Sequence, residues 1–157
     1  MNFDKPNKIF KAEIRDVQFG EHCTVVEPAN LYECSIGENC FIGPYVEIQK
    51  GVQIGNSTKV QSHSFICELV TIGSGCFIGH GVMFVNDLFQ HGGPANGDSS
   101  LWKSTQIRDN VSIGSNATIL PVEICEGCVI GAGSVVTKDI KIKGVYAGNP
   151  ARLLRKL

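Results

Sequence analysis

Three groups of residues in this sequence have types and spacings that could do chemistry. Asn86 and Asp87 stand together where a regular pattern stops, and the run that follows, Leu88 to about Thr105, contains "HGGPANGDSS" and the single tryptophan, Trp102. An adjacent amide and carboxylate can engage a polar substrate, or open a turn by bonding their own backbone. Cys125 and Cys128 have the C-x-x-C spacing of zinc and redox sites. Gly131, Ala132 and Gly133 offer backbone that a ligand can approach closely. Lys138, Arg152 and Arg155 follow them and supply cations suited to phosphate groups.

A repeat must position these groups. Every sixth residue is apolar from Ile36 through Ile42, Ile48, Ile54, Val60, Ile66, Ile72, Ile78 and Phe84. The series resumes at Ile107, Ile113 and Ile119, drops one residue to Ile124, and continues to Ile130 and Val136. Upstream, Phe19, Val25 and Leu31 belong to it, with another one-residue deletion before Ile36. Four places after each anchor comes a small or β-branched residue, as at Cys40, Val46, Val52, Thr58, Ser64, Val70, Cys76 and Val82. A period of six fits neither an amphipathic helix nor a two-layer sheet. It fits a short strand plus a corner, three units making a triangular coil of about 18 residues, with coils stacked as parallel strands. The expectation is an all-β protein, a parallel β-helix of hexapeptide repeats forming one domain over residues 1–157. It should carry one long extended loop at about 86–106 and a short C-terminal helix in the tail 150–157, whose Leu153 and Leu154 would cover the open end of the prism.

Residues one coil apart should lie above one another, which puts Asn86 over Glu68 and His80 over Ser62, with His63 at the corner below His80. Asn86, Asp87, Glu68, His63 and His80 then form a polar collection near the loop's origin. His91 lies within the loop. Trp102 either anchors the loop's return or stacks on a planar ligand. His22, in the first coil, is far from this collection.

Composition narrows the function. A net charge of -1 leaves no basic footprint for nucleic acid. No run reaches the length of a membrane span, and the opening "MNFDKPNKIFKAEI" lacks the apolar core of a signal peptide, so a cytoplasmic location is expected. The 7 cysteines then read as reduced thiols. Cys23, Cys40, Cys76 and Cys128 fall in the small inward slot, where thiols pack as small hydrophobes. Cys125 falls where Gly usually stands. Residues three apart across a corner are expected to point apart, so this pair reads as packing and no metal is expected.

Repeats written I-G-x-x-(small)-x that close on "IGAGSVVTKDIKIKGVYAGNPARLLRKL" resemble the hexapeptide-repeat acyltransferase superfamily, from about Phe19 to Arg152. The ending "GNPAR", Gly148 to Arg152, is a specific part of the likeness. "FVND", Phe84 to Asp87, with "WKST" and "VSIGSNATIL", is similar to the N-acetyltransferases of nucleotide-linked amino sugars, of the dTDP or UDP 3-amino sugar type. The resemblance implies a left-handed coil, a homotrimer, and acetyl-CoA bound as co-substrate in grooves between adjacent subunits. It also implies a product used in bacterial surface glycans such as lipopolysaccharide. By resemblance, Asp87 holds and deprotonates the amine, Asn86 orients the amine or thioester, and His80 is a further catalytic candidate. Glu68, His63, His91 and Trp102 become substrate contacts; Gly131, Ala132, Gly133, Lys138, Arg152 and Arg155 become CoA contacts.

Two departures bear on this. "ILPVEICEG" from Ile119 is one residue shorter than the family pattern, and "LFQHGGPANGDSS" replaces the Tyr-Pro-Arg type of continuation after "FVND". Sugar O-acetylation, acetylation of another small amine, and a non-catalytic scaffold are the competing readings. The γ-type carbonic anhydrases share the fold but need a His-x4-His pair, which the histidines at 22, 63, 80 and 91 do not form.

Overall fold

In the computed structural model, which describes Ile9 and residues 11–157, the sixfold period becomes three sheets of very short strands. The first face carries Ile14–Arg15, Asn30–Tyr32, Glu47–Ile48, Phe65–Ile66, Met83–Phe84, Thr118–Ile119 and Val135–Val136. The second carries Gln18–Phe19, Ser35–Ile36, Gln53–Ile54, Val70–Ile72, Thr105–Ile107 and Glu123–Ile124. The third carries Thr24–Val25, Phe41–Ile42, Lys59–Val60, Phe77–Ile78, Ser112–Ile113, Val129–Ile130 and Gly144–Ala147. Neighbours within each of these runs pair in parallel, giving a three-sided β-solenoid consistent with the left-handed β-helix.

The register follows the spacing of the anchors. Ile42 pairs with Val60 and Val60 with Ile78, a step of 18 residues each time. Where the sequence drops a residue the coil tightens to 17, as between Phe19 and Ile36 or Ile107 and Ile124. The anchors Ile42, Ile48, Val60, Ile66, Ile78, Ile113 and Ile119 are completely buried along the prism axis. Removing each such side chain from water contributes about 1.5–3 kcal/mol.

The small inward slot does more than save space. On the corner between the second and third faces, Cys23 Sγ donates to the Gly37 carbonyl at 2.9 Å and Cys40 Sγ to Gly55 at 3.2 Å. Thr58 Oγ1 donates to Gly73 at 2.8 Å, and Cys76 Sγ to Arg108 at 3.2 Å. A thiol or hydroxyl fits the slot and satisfies a carbonyl of the next coil, which a buried corner requires. The glycines of the same corner are packed against backbone. A Cβ on Gly55 would lie 2.6 Å from the Gly73 carbonyl carbon and the Ser74 nitrogen. Gly55→Val is therefore expected to lower stability by about 2 kcal/mol or more through forced separation of two coils. A denaturant melt of the variant checks this.

The buried thiols give the fold a pH dependence. Burial pushes the Cys67 thiol up to about 12 and the Cys34 thiol up to about 11, from an ordinary value of 9.0. Above pH 9 these thiols ionise in the unfolded chain but stay protonated in the folded one. The unfolded state thus loses protons first, and stability falls as pH rises from about 9 towards 12. The expected result is a Tm that drops across this window, and drops less in Cys67→Ala.

Two expectations are corrected at the chain's irregular places. The tail does not form a helix: Arg152–Lys156 is a β-strand, antiparallel to Gly144–Ala147. Gly144–Ala147 ends the third face with an unpaired edge, and five residues of tail satisfy that edge directly. An isolated helix of that length would be marginal. Leu153 and Leu154 both stay exposed, so the predicted cover over the open end is not formed by them. The loop falls where expected: the excursion runs from Val85 to Ser104 and ends where Thr105–Ile107 pairs with Val70–Ile72. No described helix is long and apolar enough to cross a membrane.

Candidate functional site

The loop leaves the corner between the first and second faces, and Asn86 ties both its ends. Asn86 Nδ2 donates to the Glu68 carbonyl one coil below at 3.2 Å, and the Asn86 carbonyl accepts from Lys103 N–H at 2.9 Å. Asp87 organises the loop itself: Oδ1 accepts from Phe89 N–H at 2.9 Å and Oδ2 from Ala95 N–H at 2.7 Å. A carboxylate has about four lone-pair positions, so two remain for a ligand. Asp98 caps a single 3-10 turn, Ser99–Leu101, and Trp102 follows it half-buried, its N–H on the Ser99 carbonyl. Trp102 thereby sits at the loop's return. His91 is exposed near the loop's tip.

The histidines lie elsewhere. The corner between the third and first faces stacks Tyr45, His63, Gly81 and Asn116 in one column. Tyr45 and His63 rings stack at 4.8 Å, and a Cβ on Gly81 would meet Asn116. Beside them His80 Nδ1 lies 2.8 Å from Ser62 Oγ, one coil below as the spacing requires. His63 and His80 are thus not part of the polar group around Asn86, Asp87 and Glu68. His80 and Asn86 are six residues apart, the length of one face, so they sit on opposite edges of the first face, about 15–20 Å apart along the strand.

The same division sorts the CoA candidates. Gly131, Ala132 and Gly133 form the upper step of the histidine column: Gly133 N–H donates to the Ser115 carbonyl, and nothing approaches where a Gly133 Cβ would be. Gly131 packs on Ala147, which pairs with Arg152, so Arg152 belongs to this corner. Arg155 pairs farther along, with Val145. Lys138 is exposed between Val136 and Ile140 on the loop's side. "GNPAR" acts as a clasp: Val135 N–H reaches the Gly148 carbonyl, Gly148 N–H reaches Ser134 Oγ, and Ala151 N–H reaches the Val135 carbonyl.

Sequence spacing missed the outward-facing residues. Along the first face Phe65 pairs with Met83, flanked by Glu47 and Thr118, with Val135 higher on the same face; along the third, Phe41, Phe77 and Val129 point outward, with Lys59 between the two phenylalanines. The second face presents Gln18, Ser35, Gln53, Thr71, Gln106 and Glu123 instead. The signal was present one residue before each anchor. It repeats every third unit, not every unit, and so vanishes in a sixfold tally.

Residues 33–68 match the family "Bacterial transferase hexapeptide (six repeats)", and residues 105–138 match "Hexapeptide repeat of succinyl-transferase". Both matches are to hexapeptide repeats of transferases, and they fall on the stretches of coil on either side of the loop. Among hexapeptide-repeat relatives, the bifunctional protein GlmU of Thermodesulfovibrio yellowstonii is 35% identical over 132 residues, covering 75% of this chain and 26% of the relative. The chain spans about a quarter to a third of the length of the curated relatives it matches. The acetyltransferase VCA0836 of Vibrio cholerae, solved with acetyl-CoA, superposes with a TM-score of 0.68 at 28% identity, covering 80% of this chain and 72% of that one. A galactoside acetyltransferase solved with CoA gives a TM-score of 0.66 at 32% identity, covering 77% and 64%.

Proposed function

We propose that this chain is an acetyl-CoA-dependent N-acetyltransferase that acts on the amino group of a dTDP- or UDP-linked amino deoxy sugar. It works as a cytoplasmic homotrimer with sites between subunits, and its product feeds bacterial surface glycans such as lipopolysaccharide. One observation carries the reading: the loop that interrupts the coil is rooted in an amide and a carboxylate, and the Asp87 carboxylate, with one lone pair of each oxygen spent on the loop, keeps the others for an ammonium. An amine near neutral pH has an unprotonated fraction and needs orientation more than a strong base. A hydroxyl acceptor needs the base.

The assembly is supported by the same division of residues. One chain cannot bring its loop corner to its own histidine and glycine corner, but a neighbouring copy packed on Phe65 and Met83 of the first face and Phe41 and Phe77 of the third can. Closed cyclic symmetry satisfies all copies equally.

In the site so formed, Asp87 uses its remaining lone pairs to hold the sugar ammonium and accept its proton, and Asn86 orients the amine. The neutral nitrogen attacks the thioester carbonyl carbon. Backbone N–H groups stabilise the tetrahedral oxyanion. Collapse breaks the carbon–sulfur bond, and the CoA thiolate leaves and takes up a proton. The other candidates serve binding: Gly131, Ala132 and Gly133 admit the pantetheine arm, and Lys138, Arg152 and Arg155 meet its phosphates. Glu68, His63, His91 and Trp102 contact the acceptor.

A second reading has its own observation. His80 is exposed and held at Nδ1 by Ser62, the arrangement a base for a sugar hydroxyl needs. Thiol release from acetyl-CoA with a panel of nucleotide-linked amino sugars and their hydroxyl counterparts decides between them. The amine reading expects turnover with an amino sugar and an amide in the product's mass spectrum. Turnover with the hydroxyl series alone, as an ester, supports the second reading; silence throughout, with no CoA binding, supports a scaffold.

A further inference from the structure

Cys125 and Cys128 break the rule that the other cysteines on their corner obey. Cys23, Cys40 and Cys76 each send the thiol to a carbonyl of the next coil at 2.9–3.2 Å. Cys128 has only a 3.7 Å approach to the Ile142 carbonyl, and its sulfur lies 3.4 Å from the sulfur of Cys125. The expectation that these side chains diverge is wrong. Cys125 occupies the position that Gly20, Gly37, Gly55 and Gly73 hold in the lower coils, so its short side chain stands beside the slot that Cys128 fills. Arg108, at the same position one coil below, instead extends outward to Glu123. The two thiols differ in access: Cys128 is fully buried and Cys125 half-buried. Lys143 from the final corner lies across Gly127, between the two cysteines, with its side chain where a Gly127 Cβ would be.

We propose that Cys125 and Cys128 are a dithiol that a low-molecular-weight disulfide oxidises to an intrachain disulfide. This modification site lies on the corner between the second and third faces, away from both corners assigned to acyl transfer, and does not depend on that assignment. Forming the bond at its usual length of about 2.05 Å requires the sulfurs to close by about 1.3 Å, within reach of side-chain rotation. Cys125 is the accessible, attacking thiol. As thiolate it attacks one sulfur of the small disulfide; that sulfur–sulfur bond breaks, and the first small thiolate leaves and takes up a proton. The Cys128 thiol then gives up its proton and attacks the Cys125 sulfur, expelling the second small thiolate. Two protein thiols are oxidised and one small disulfide is reduced to two thiols. The Lys143 ammonium favours the Cys128 thiolate at the second stage. Burial, the larger influence on Cys128, pushes its thiol up to about 11, which fits the resolving partner and not the attacking one.

The pair is tested on reduced wild-type protein exposed to oxidised glutathione, then alkylated and mapped by peptide mass spectrometry. The expected result is loss of both thiols with no glutathione retained at this corner. Cys128→Ser should stop at the mixed disulfide, with glutathione occupancy on Cys125 at least about tenfold above wild type. Phenylarsine oxide, which chelates closely spaced dithiols, should protect the wild-type pair. Retention of both thiols under conditions that oxidise a short peptide of the same Cys125–Cys128 sequence would overturn the proposal. So would a stable glutathione adduct on wild-type Cys125. The wild-type measurement needs no substitution, so its outcome stands even where a variant fails to fold.

Discussion

Replacing Asp87 with Asn is expected to lower acetyl transfer to the amino sugar on the order of 100-fold or more, with the KM for acetyl-CoA unchanged. The substitution keeps one oxygen, so one of the two loop contacts, to Phe89 N–H or Ala95 N–H, survives. What is lost is the negative charge that meets the ammonium. Asn86→Ala should act in the same direction by freeing the loop's feet from Glu68. Steady-state kinetics with native mass spectrometry separates the effects: turnover falls while the assembly persists. Unchanged turnover in both variants would remove these residues from the site.

The second large effect concerns assembly. Phe65 and Met83 stand side by side on the first face, and a carboxylate at each should convert the proposed trimer to single chains and abolish turnover. Burying two unpaired charges between subunits costs several kcal/mol, more than such an interface can absorb. The coil itself should survive, because neither position is one of the fully buried anchors that fill the prism. Gln53→Glu on the polar second face is the control and should leave the assembly whole. A trimer persisting in Phe65→Glu/Met83→Glu would place the subunit contact elsewhere.

Much of this geometry was legible in the sequence. A period of six dictates strand, corner and face, and the one-residue deletions before Ile36 and Ile124 became shortened coils. Stacking arithmetic placed Asn86 over Glu68 and His80 over Ser62, where hydrogen bonds join them. The same arithmetic, carried sideways, would have separated His80 from Asn86, since six residues is one face. Reading them as one group treated nearness in sequence as nearness in space. The loop's internal bonds could not be read, because Asp87 reaches Ala95 through a backbone path with no period. The tail misled because five residues carry too little pattern to distinguish helix from strand; the free edge of Gly144–Ala147 decided it. Cys125 and Cys128 misled because their separation was judged from an average corner, and theirs has a thiol in the position that glycine holds in the lower coils.

The central claim is that a loop corner from one copy and a glycine corner from its neighbour make one site. It is tested by co-assembling two inactive variants, Asp87→Asn and Ala132→Trp, each altered on a different corner. Ala132 is exposed, so the indole should obstruct the CoA corner without entering the core. Random trimers should recover about a quarter of the wild-type rate of thiol release, since about a quarter of the interfaces then join two intact corners. Co-assembled trimers that remain as inactive as their parents would contradict the shared site.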